Sequence, residues 1–291
     1  MRIAHLVMAH KGPAQLGRLL RALAHPQAHV FVHLDKKTDE RPFAALAALP
    51  NVRFVRRRFE VTWGGYSLTQ ATLEGIREIL GAPGAYDFIN LISGEDYPIK
   101  PIAVIHDFFA RHLNCSFLEY EVAGSAWWQA NQSRVLRYHL TEFPFPGRYV
   151  VQRLFNRLLP RRKLPLFPTI YGGNMSGWYT LSRASAAYVV EYVDAHPQVR
   201  RFARLTWGSD EFLIPTILLN SPLAASVIND SLRYIDWSGG GSSPKILTVH
   251  DLPALRASTR LFARKFDDSH DNAVLNRLDQ LNHEVPAELP A

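Results

Sequence analysis

The feature that most constrains the fold is an alternation of short apolar runs with amphipathic segments through the first third of the chain. Residues 3–8 and 29–34 are mainly apolar stretches of strand length, with His5, His29 and His33 the only polar residues, and 88–92, with Asn90, is another, stopped by Ser93-Gly94. Between them, 14–24 and 67–80 carry apolar side chains at helical spacing, the second with Leu68, Ala71, Leu73, Ile76 and Leu80. A short helix at 42–48 and a strand at 52–55 complete the series. Strands that read as continuous apolar runs are buried on both faces, and a strand–helix–strand order sets successive strands side by side in parallel. The expected fold class is α/β, a mainly parallel central sheet flanked by helices. In such sheets ligands collect beyond the carboxyl ends of the strands, so the residues just after each run are the first candidates for a site.

The rest of the chain is less regular. Pro144, Pro146 and Gly147 break it before a basic stretch at 147–163. A Gly-rich loop is expected at 171–176, a strand at 177–181 and a helix at 184–195. Trp207-Gly208-Ser209-Asp210-Glu211 opens a further helix to 219, and a Gly/Ser loop at 238–243 leads to a strand at 246–249 and a polar C-terminal segment. No repeat and no linker divides the 291 residues, which are read as a single domain.

The charge balance is basic, 33 Lys and Arg against 26 Asp and Glu, which favours an anionic partner. Nucleic acid is not expected, because the chain has no zinc-finger spacing, RNA-binding signature or long Lys/Arg block. A diphosphate-bearing substrate suits the charge better. The single cysteine, Cys115, excludes an intrachain disulfide and a Cys-built metal site. The twelve histidines are read as surface or packed residues, so no zinc site is expected. Gly-x-Ser-x-Gly is absent, which removes the usual serine-nucleophile elbow.

Asp35 follows the second apolar run and Glu95-Asp96 the fourth strand. Each stands either as a turn residue or as a ligand-binding carboxylate. Metal-dependent sugar transferases of this architecture carry Asp-x-Asp after a strand, where its oxygens hold a hard cation on the diphosphate; this chain has none. Glu95 and Asp96 are adjacent and would point apart in an extended segment. With no metal or other cofactor expected, fixed cations must neutralise a leaving diphosphate. Lys245, directly after the Gly/Ser loop, and Arg264-Lys265, in the aromatic setting of LFARKFD, are the candidates, against the ordinary fate of a solvated lysine. Glu211 is either a first-turn residue favoured by the helix dipole or a general base, with Trp207 as a sugar platform and Asp210 beside it.

MAHKGPAQLGRLLRAL, FVHLDKKTD, VTWGGYSLTQATL, FINLISGEDYPIK, WGSDEFLIPTIL and LFARKFD resemble, in this order, the core 2/I-branching β-1,6-N-acetylglucosaminyltransferases, a family that includes peptide O-xylosyltransferases. The resemblance spans about residues 3–267. It implies a glycosyltransferase-A type fold and inverting, metal-independent transfer of a sugar, GlcNAc in the first instance, from a UDP-sugar to a glycan or glycolipid hydroxyl. The alternatives are a UDP-xylose donor, metal use through Glu95-Asp96, or a non-catalytic UDP-sugar- or glycan-binding protein. By motif, Asp35 is similar to the carboxylate that contacts uracil or ribose, Glu211 to the catalytic base and Lys265 to a diphosphate-binding lysine. Lys245 is taken as the second diphosphate cation, with His10 and Arg264 also on the donor side. Glu119 in FLEYE is similar in position to an acceptor-binding glutamate, and Trp207 and Asp210 are placed with it. Residues up to about 115 are expected to bind the nucleotide; 116–291 are expected to build the acceptor site and close over the diphosphate.

The opening MRIAHLVMAHKG is too short in its apolar run for the ~20 residues of a membrane span and reads as the first buried strand. Together with the paucity of cysteine, this makes the chain similar to a bacterial, cytoplasmic member of the family. In 147–163, Val151, Leu154, Phe155 and Leu158 fall on one helical face, and Arg153, Arg157 and Arg161 on another. Such a helix either packs on the core with a solvated basic face or rests weakly on the inner membrane surface.

Overall fold

The computed structural model of the protein describes residues 1–122, 124–241 and 243–284. Ser242 of the Gly/Ser loop and the end of the polar C-terminal segment, 285–291, lie outside the described residues. The strands are β1 Ile3–Ala9, β2 Ala28–Leu34, β3 Val52–Phe54, β4 Phe88–Ser93, β5 Asp96–Pro98, β6 Ser116–Leu118, β7 Glu121–Val122, β8 Tyr171–Gly172, β9 Thr180–Ser182, β10 Val227–Asn229, β11 Arg233–Ile235 and β12 Phe262–Arg264. Seven form the central sheet, in the spatial order β10-β6-β9-β4-β1-β2-β3. β1 lies between β2 and β4 and is parallel to both. β9 alone runs antiparallel to its neighbours β4 and β6. This is the expected α/β architecture with a mainly parallel sheet.

The alternation of side chains along β1 explains why the first third is so legible. Ile3 and Val7 belong to one core with Leu16, Leu19 and Leu20 of helix Pro13–Ala22. Ala4 and Leu6 point the other way, into a second core with Leu73, Ile76 and Ile79 of helix Tyr66–Gly81. A strand covered on both faces has no solvent side, so every residue of β1 and β4 is buried.

A second sheet, β11-β12-β5, packs at the carboxyl end of β4. Arg233 ties the two sheets together. Its buried guanidinium donates to Thr180 Oγ1 (3.1 Å), the carbonyls of Leu91 (2.9 Å) and Tyr179 (3.0 Å), Asn90 Oδ1 and the Ser231 carbonyl. A buried cation persists only where such acceptors replace water.

Four expected elements differ. The helix at 42–48 is a 3-10 helix, Arg41–Ala48. The strand at 177–181 is shorter, β9, which starts three residues later and ends at Ser182. Residues 246–249 are not a strand: Leu247 N donates to the Lys265 carbonyl (2.8 Å), and a 3-10 turn, Val249–Asp251, capped by Thr248 and Asp251, follows at once. The helix expected from Trp207 to 219 is split into a 3-10 turn, Ser209–Glu211, and helix Leu213–Leu219. Pro215 supplies the reason: inside a continuous helix its ring would strike the carbonyl four residues back, that of Glu211.

Candidate active site

A cleft of about 470 Å³ opens beyond the carboxyl ends of β1, β4 and β12. A larger opening of about 670 Å³, between Leu252–Ala257 and residues 277–281, has no carboxylate or histidine in its lining and offers no comparable chemistry. The cleft holds two separate polar groups.

The first group is cationic. Lys11, just past β1, places Nζ 2.8 Å from Glu95 Oε1 and 3.1 Å from Asp267 Oδ2. Lys265 Nζ is 3.3 Å from Glu95 Oε2. Burial opposes the Glu95 charge, but Lys11 and Lys265 outweigh it and hold the carboxyl below its ordinary value. The close Glu95 carboxylate in turn raises Lys11. Arg264 is buried, with its guanidinium 4.1 Å from the centre of the Trp178 ring, and its Nε and Nη1 have no hydrogen-bond partner. Asp96, 3.5 Å from Arg264 Nε, is engaged elsewhere, accepting from Ser93 N (3.1 Å) and Oγ (2.7 Å). Glu95 and Asp96 thus turn to different partners. Among the described residues no three His, Cys, Asp or Glu side chains converge as a metal centre would need.

The second group is built on the 3-10 turn. Gly208, with φ of 68°, donates its N–H to the Gly64 carbonyl (2.8 Å). Gly64 is itself at φ 69°, and a Cβ there would lie 2.6 Å from Trp207 Nε1, so no other residue type permits this approach. Gly172 closes in from β8, where a Cβ would sit 2.7 Å from the Glu211 carbonyl oxygen. Three Gly-containing runs therefore fix the backbone that carries Asp210 and Glu211. Arg134, on the short helix Ser133–Leu136, donates to Glu211 Oε2, and its guanidinium stacks 4.2 Å from the Trp207 ring centre. Trp63 meets Trp207 edge-on at 5.1 Å.

The Glu211 side chain is 22% exposed. Burial first, and then the neighbouring Asp210 charge, push its carboxyl up to about 7, with Arg134 pulling the other way. Burial likewise raises Asp210, to about 6. A carboxyl that titrates near neutrality in a cleft is suited to accept a proton from a substrate hydroxyl.

Of the residues singled out in the sequence, His10, Trp207, Asp210, Glu211, Arg264 and Lys265 line this cleft. Lys245 does not: its Nζ is held 2.6 Å from Asp251 Oδ1 and 3.7 Å from Asp236 Oδ2, and only its neighbours Ser243 and Pro244 reach the cleft wall. Asp35 organises its own loop, accepting from Lys37 N (2.9 Å) and Val61 N (3.3 Å). Glu119 lies at the end of β6 and accepts from Ser231 Oγ (3.3 Å). Neither is part of the cleft lining. Lys11, Trp63, Arg134, Asn174 and Trp178 are cleft residues that sequence reasoning did not single out. Lys11 was within reach, as the second residue past the first strand; Arg134 has no local signal.

Xylosyltransferase 2 of Mus musculus and that of Homo sapiens are each 29% identical to this protein over 321 residues, covering 100% of the chain and 35% of theirs. The xylosyltransferase of Ciona intestinalis is 25% identical over 318 residues, with the same coverage. The chain thus spans about a third of the length of these curated relatives. Among solved structures it is similar to 4-diphosphocytidyl-2C-methyl-D-erythritol synthase from Anaerococcus prevotii, at 11% identity and a TM-score of 0.39, over 88% of this chain and 95% of that one. Residues 3–255 match the family model described as Branch, Core-2/I-Branching enzyme, and the chain belongs to the Core-2/I-branching enzyme family.

Proposed function

We propose that this protein is an inverting glycosyltransferase that moves a sugar from a UDP-sugar to a hydroxyl of a glycan or glycolipid, with fixed cations in the place of a metal ion. One observation carries the reading: a single cleft holds a carboxyl raised towards neutrality, Glu211, and a separate cluster of three cations, Lys11, Arg264 and Lys265. Glu211 takes the proton of the acceptor hydroxyl as its oxygen attacks the anomeric carbon. The bond from that carbon to the β-phosphate oxygen breaks, and UDP leaves with the electron pair. One displacement inverts the anomeric centre. The charge that develops on the leaving oxygen is met by the ammonium groups of Lys265 and Lys11 and by the nearby positive charge of Arg264, preorganised groups of the kind that stabilise a transition state most. Trp207 and Trp63 offer apolar faces to a sugar ring. In this reading Arg264 and Lys11 take the second-cation role expected of Lys245. Asp35 and Glu119 keep their proposed nucleotide and acceptor roles only by resemblance.

N-acetylglucosamine is the donor sugar of the first reading. The three relatives named above are xylosyltransferases, which favours xylose as the second. A panel of UDP-sugars, titrated and assayed for transfer with and without EDTA, tests both. One donor bound and transferred equally in EDTA is the expected result, and its identity decides between the sugars. Loss of activity in EDTA would overturn the metal-free mechanism. Donor binding without turnover on any glycan or glycolipid would leave a binding protein.

A further inference from the structure

Helix Arg148–Leu158 turns only one edge of its apolar stripe to the protein: Phe155 meets Tyr138 edge-on, with ring centres 6.2 Å apart, and Val151 is half-buried. Amphipathic surface helices normally bury the apolar stripe. Here the polar side chains dock: Asn156 Oδ1 accepts from Tyr138 N (2.8 Å), Asn156 Nδ2 donates to the Tyr138 carbonyl (2.8 Å), and Gln152 Oε1 accepts from Leu140 N (2.8 Å). No residue of the helix is buried. Tyr149, Val150, Leu154 and Leu158 stand out at 51–69% exposure.

The charge around this ridge is one-sided. Residues 143–190 contain seven Lys and Arg and no Asp or Glu. Removing those seven from the 33 in the chain leaves 26, matched by 26 Asp and Glu, so the whole net charge of +7 resides in this segment. Arg153, Arg157, Arg161 and Lys163 are exposed.

We infer that helix Arg148–Leu158 docks this protein on the surface of an anionic lipid bilayer. Long apolar side chains on a single convex helix, flanked by arginines whose stems lie along apolar surface while their heads stay in the phosphate layer, match a bilayer interface. Tyr149 adds an aromatic ring of the type that settles at headgroup level. A second copy fits worse, because a two-fold contact sets like charges face to face. The segment the helix grips, from Tyr138 to Leu140, directly follows the short helix that carries Arg134, so the docking element is linked to the Glu211 end of the cleft through one short stretch of chain. If the transferase reading holds, the acceptor class favoured is a lipid-linked glycan; the docking itself does not depend on that reading.

The test is cosedimentation of the full chain with phosphatidylcholine vesicles, with and without phosphatidylglycerol. Binding is expected only with the anionic lipid, weakened by salt. Reversal of Arg153 and Arg157 to Glu should weaken it by roughly 25-fold or more, about fivefold for each cation lost. Leu154→Glu with Leu158→Glu should abolish it. All four side chains are exposed, so melting temperature and UDP-sugar titration should stay at wild-type values. Three results would overturn the inference: no binding of the wild type to anionic vesicles, binding that survives the leucine pair, or a solution dimer that the leucine pair dissociates. Vesicle binding needs no donor, so failure of the transferase reading would leave this result standing, and the reverse.

Discussion

Glu95 and Glu211 are the same residue type in one cleft, and their surroundings drive them in opposite directions. Glu95 sits between two lysines, with Arg264 in the same wall, and its carboxyl is held ionised. Glu211 shares a single arginine with a second acid, Asp210, and its carboxyl is raised to about 7. Both are largely out of water, so burial does not separate them; the ratio of cations to carboxylates does. One end of the cleft gathers Lys11, Lys265 and Arg264, paired with Glu95, Asp267 and Asp96, and suits a permanently charged diphosphate that can compete for those cations. The other carries spare carboxylate and suits a proton that must be taken up and given back.

Glu211→Gln breaks the comparison most severely. It keeps the shape and the contact to Arg134 but cannot accept a proton. Transfer should fall by about 10²–10⁴-fold, the usual worth of a positioned base, while UDP affinity measured by calorimetry stays within a few-fold of wild type. Near-normal turnover would remove Glu211 as the base.

At the cationic end, Arg264→Ala and Lys265→Ala should each weaken UDP binding by about 10–100-fold, in the range of hydrogen bonds to a charged group. Lys245→Ala should leave it unchanged, because Lys245 spends its charge on Asp251 and Asp236. If Lys245→Ala were the damaging variant, the diphosphate would lie at Lys245 and not at the Lys11, Arg264 and Lys265 cluster.

That contrast between lysines shows where the sequence stops being informative. The parallel sheet is readable because β1, β2 and β4 are covered on both faces, which leaves each a mainly apolar stretch broken only by His5, by His29 and His33, and by Asn90 and Ser93. The second sheet is not, since β5, β11 and β12 are three residues long and polar groups such as Arg233 and Asp96 replace the pattern. Lys265 and Lys245 look alike in sequence, and nothing local says that a capped turn brings Asp251 back beneath Lys245. Glu211 reads in the sequence as an acid in a useful place, but its raised pKa comes first from burial, with Arg134, 77 residues earlier, opposing, and both are set by tertiary packing. The 148–158 helix was legible as amphipathic, yet its orientation rests on Gln152 and Asn156 finding the backbone at 138–140.

Arg134→Met sharpens the comparison at the base end. Arg134 favours the ionised form of Glu211, so its loss should raise the carboxyl further. Wild-type kcat/KM should climb with pH through about 7, as the protonated, inactive form of Glu211 gives way to carboxylate. The two neighbouring acids titrate as a pair, so this limb belongs to both. In Arg134→Met the limb should move up by about one unit, costing about fivefold at neutral pH and little at high pH. Asp210→Asn should move it down, because the like charge is gone. A limb that stays in place in both variants would mean that Glu211 does not set the pH dependence.

Glu95→Gln gives the smallest effect and the most discriminating one. In the free protein Glu95 neutralises Lys11 and Lys265, so it competes with an incoming diphosphate for the same two ammonium groups. Replacing it with the neutral amide should tighten UDP binding, by no more than about fivefold, since a partly exposed ion pair is worth roughly 0.2–1 kcal/mol. The same change should leave the pH limb untouched, because Glu95 lies in the other group. If UDP binding weakens instead, Glu95 serves to aim the lysines rather than to hold their charge in reserve. The two ends of the cleft would then be alike in one respect: each would use a carboxylate–cation pair to fix geometry, and the asymmetry of charge would be its by-product.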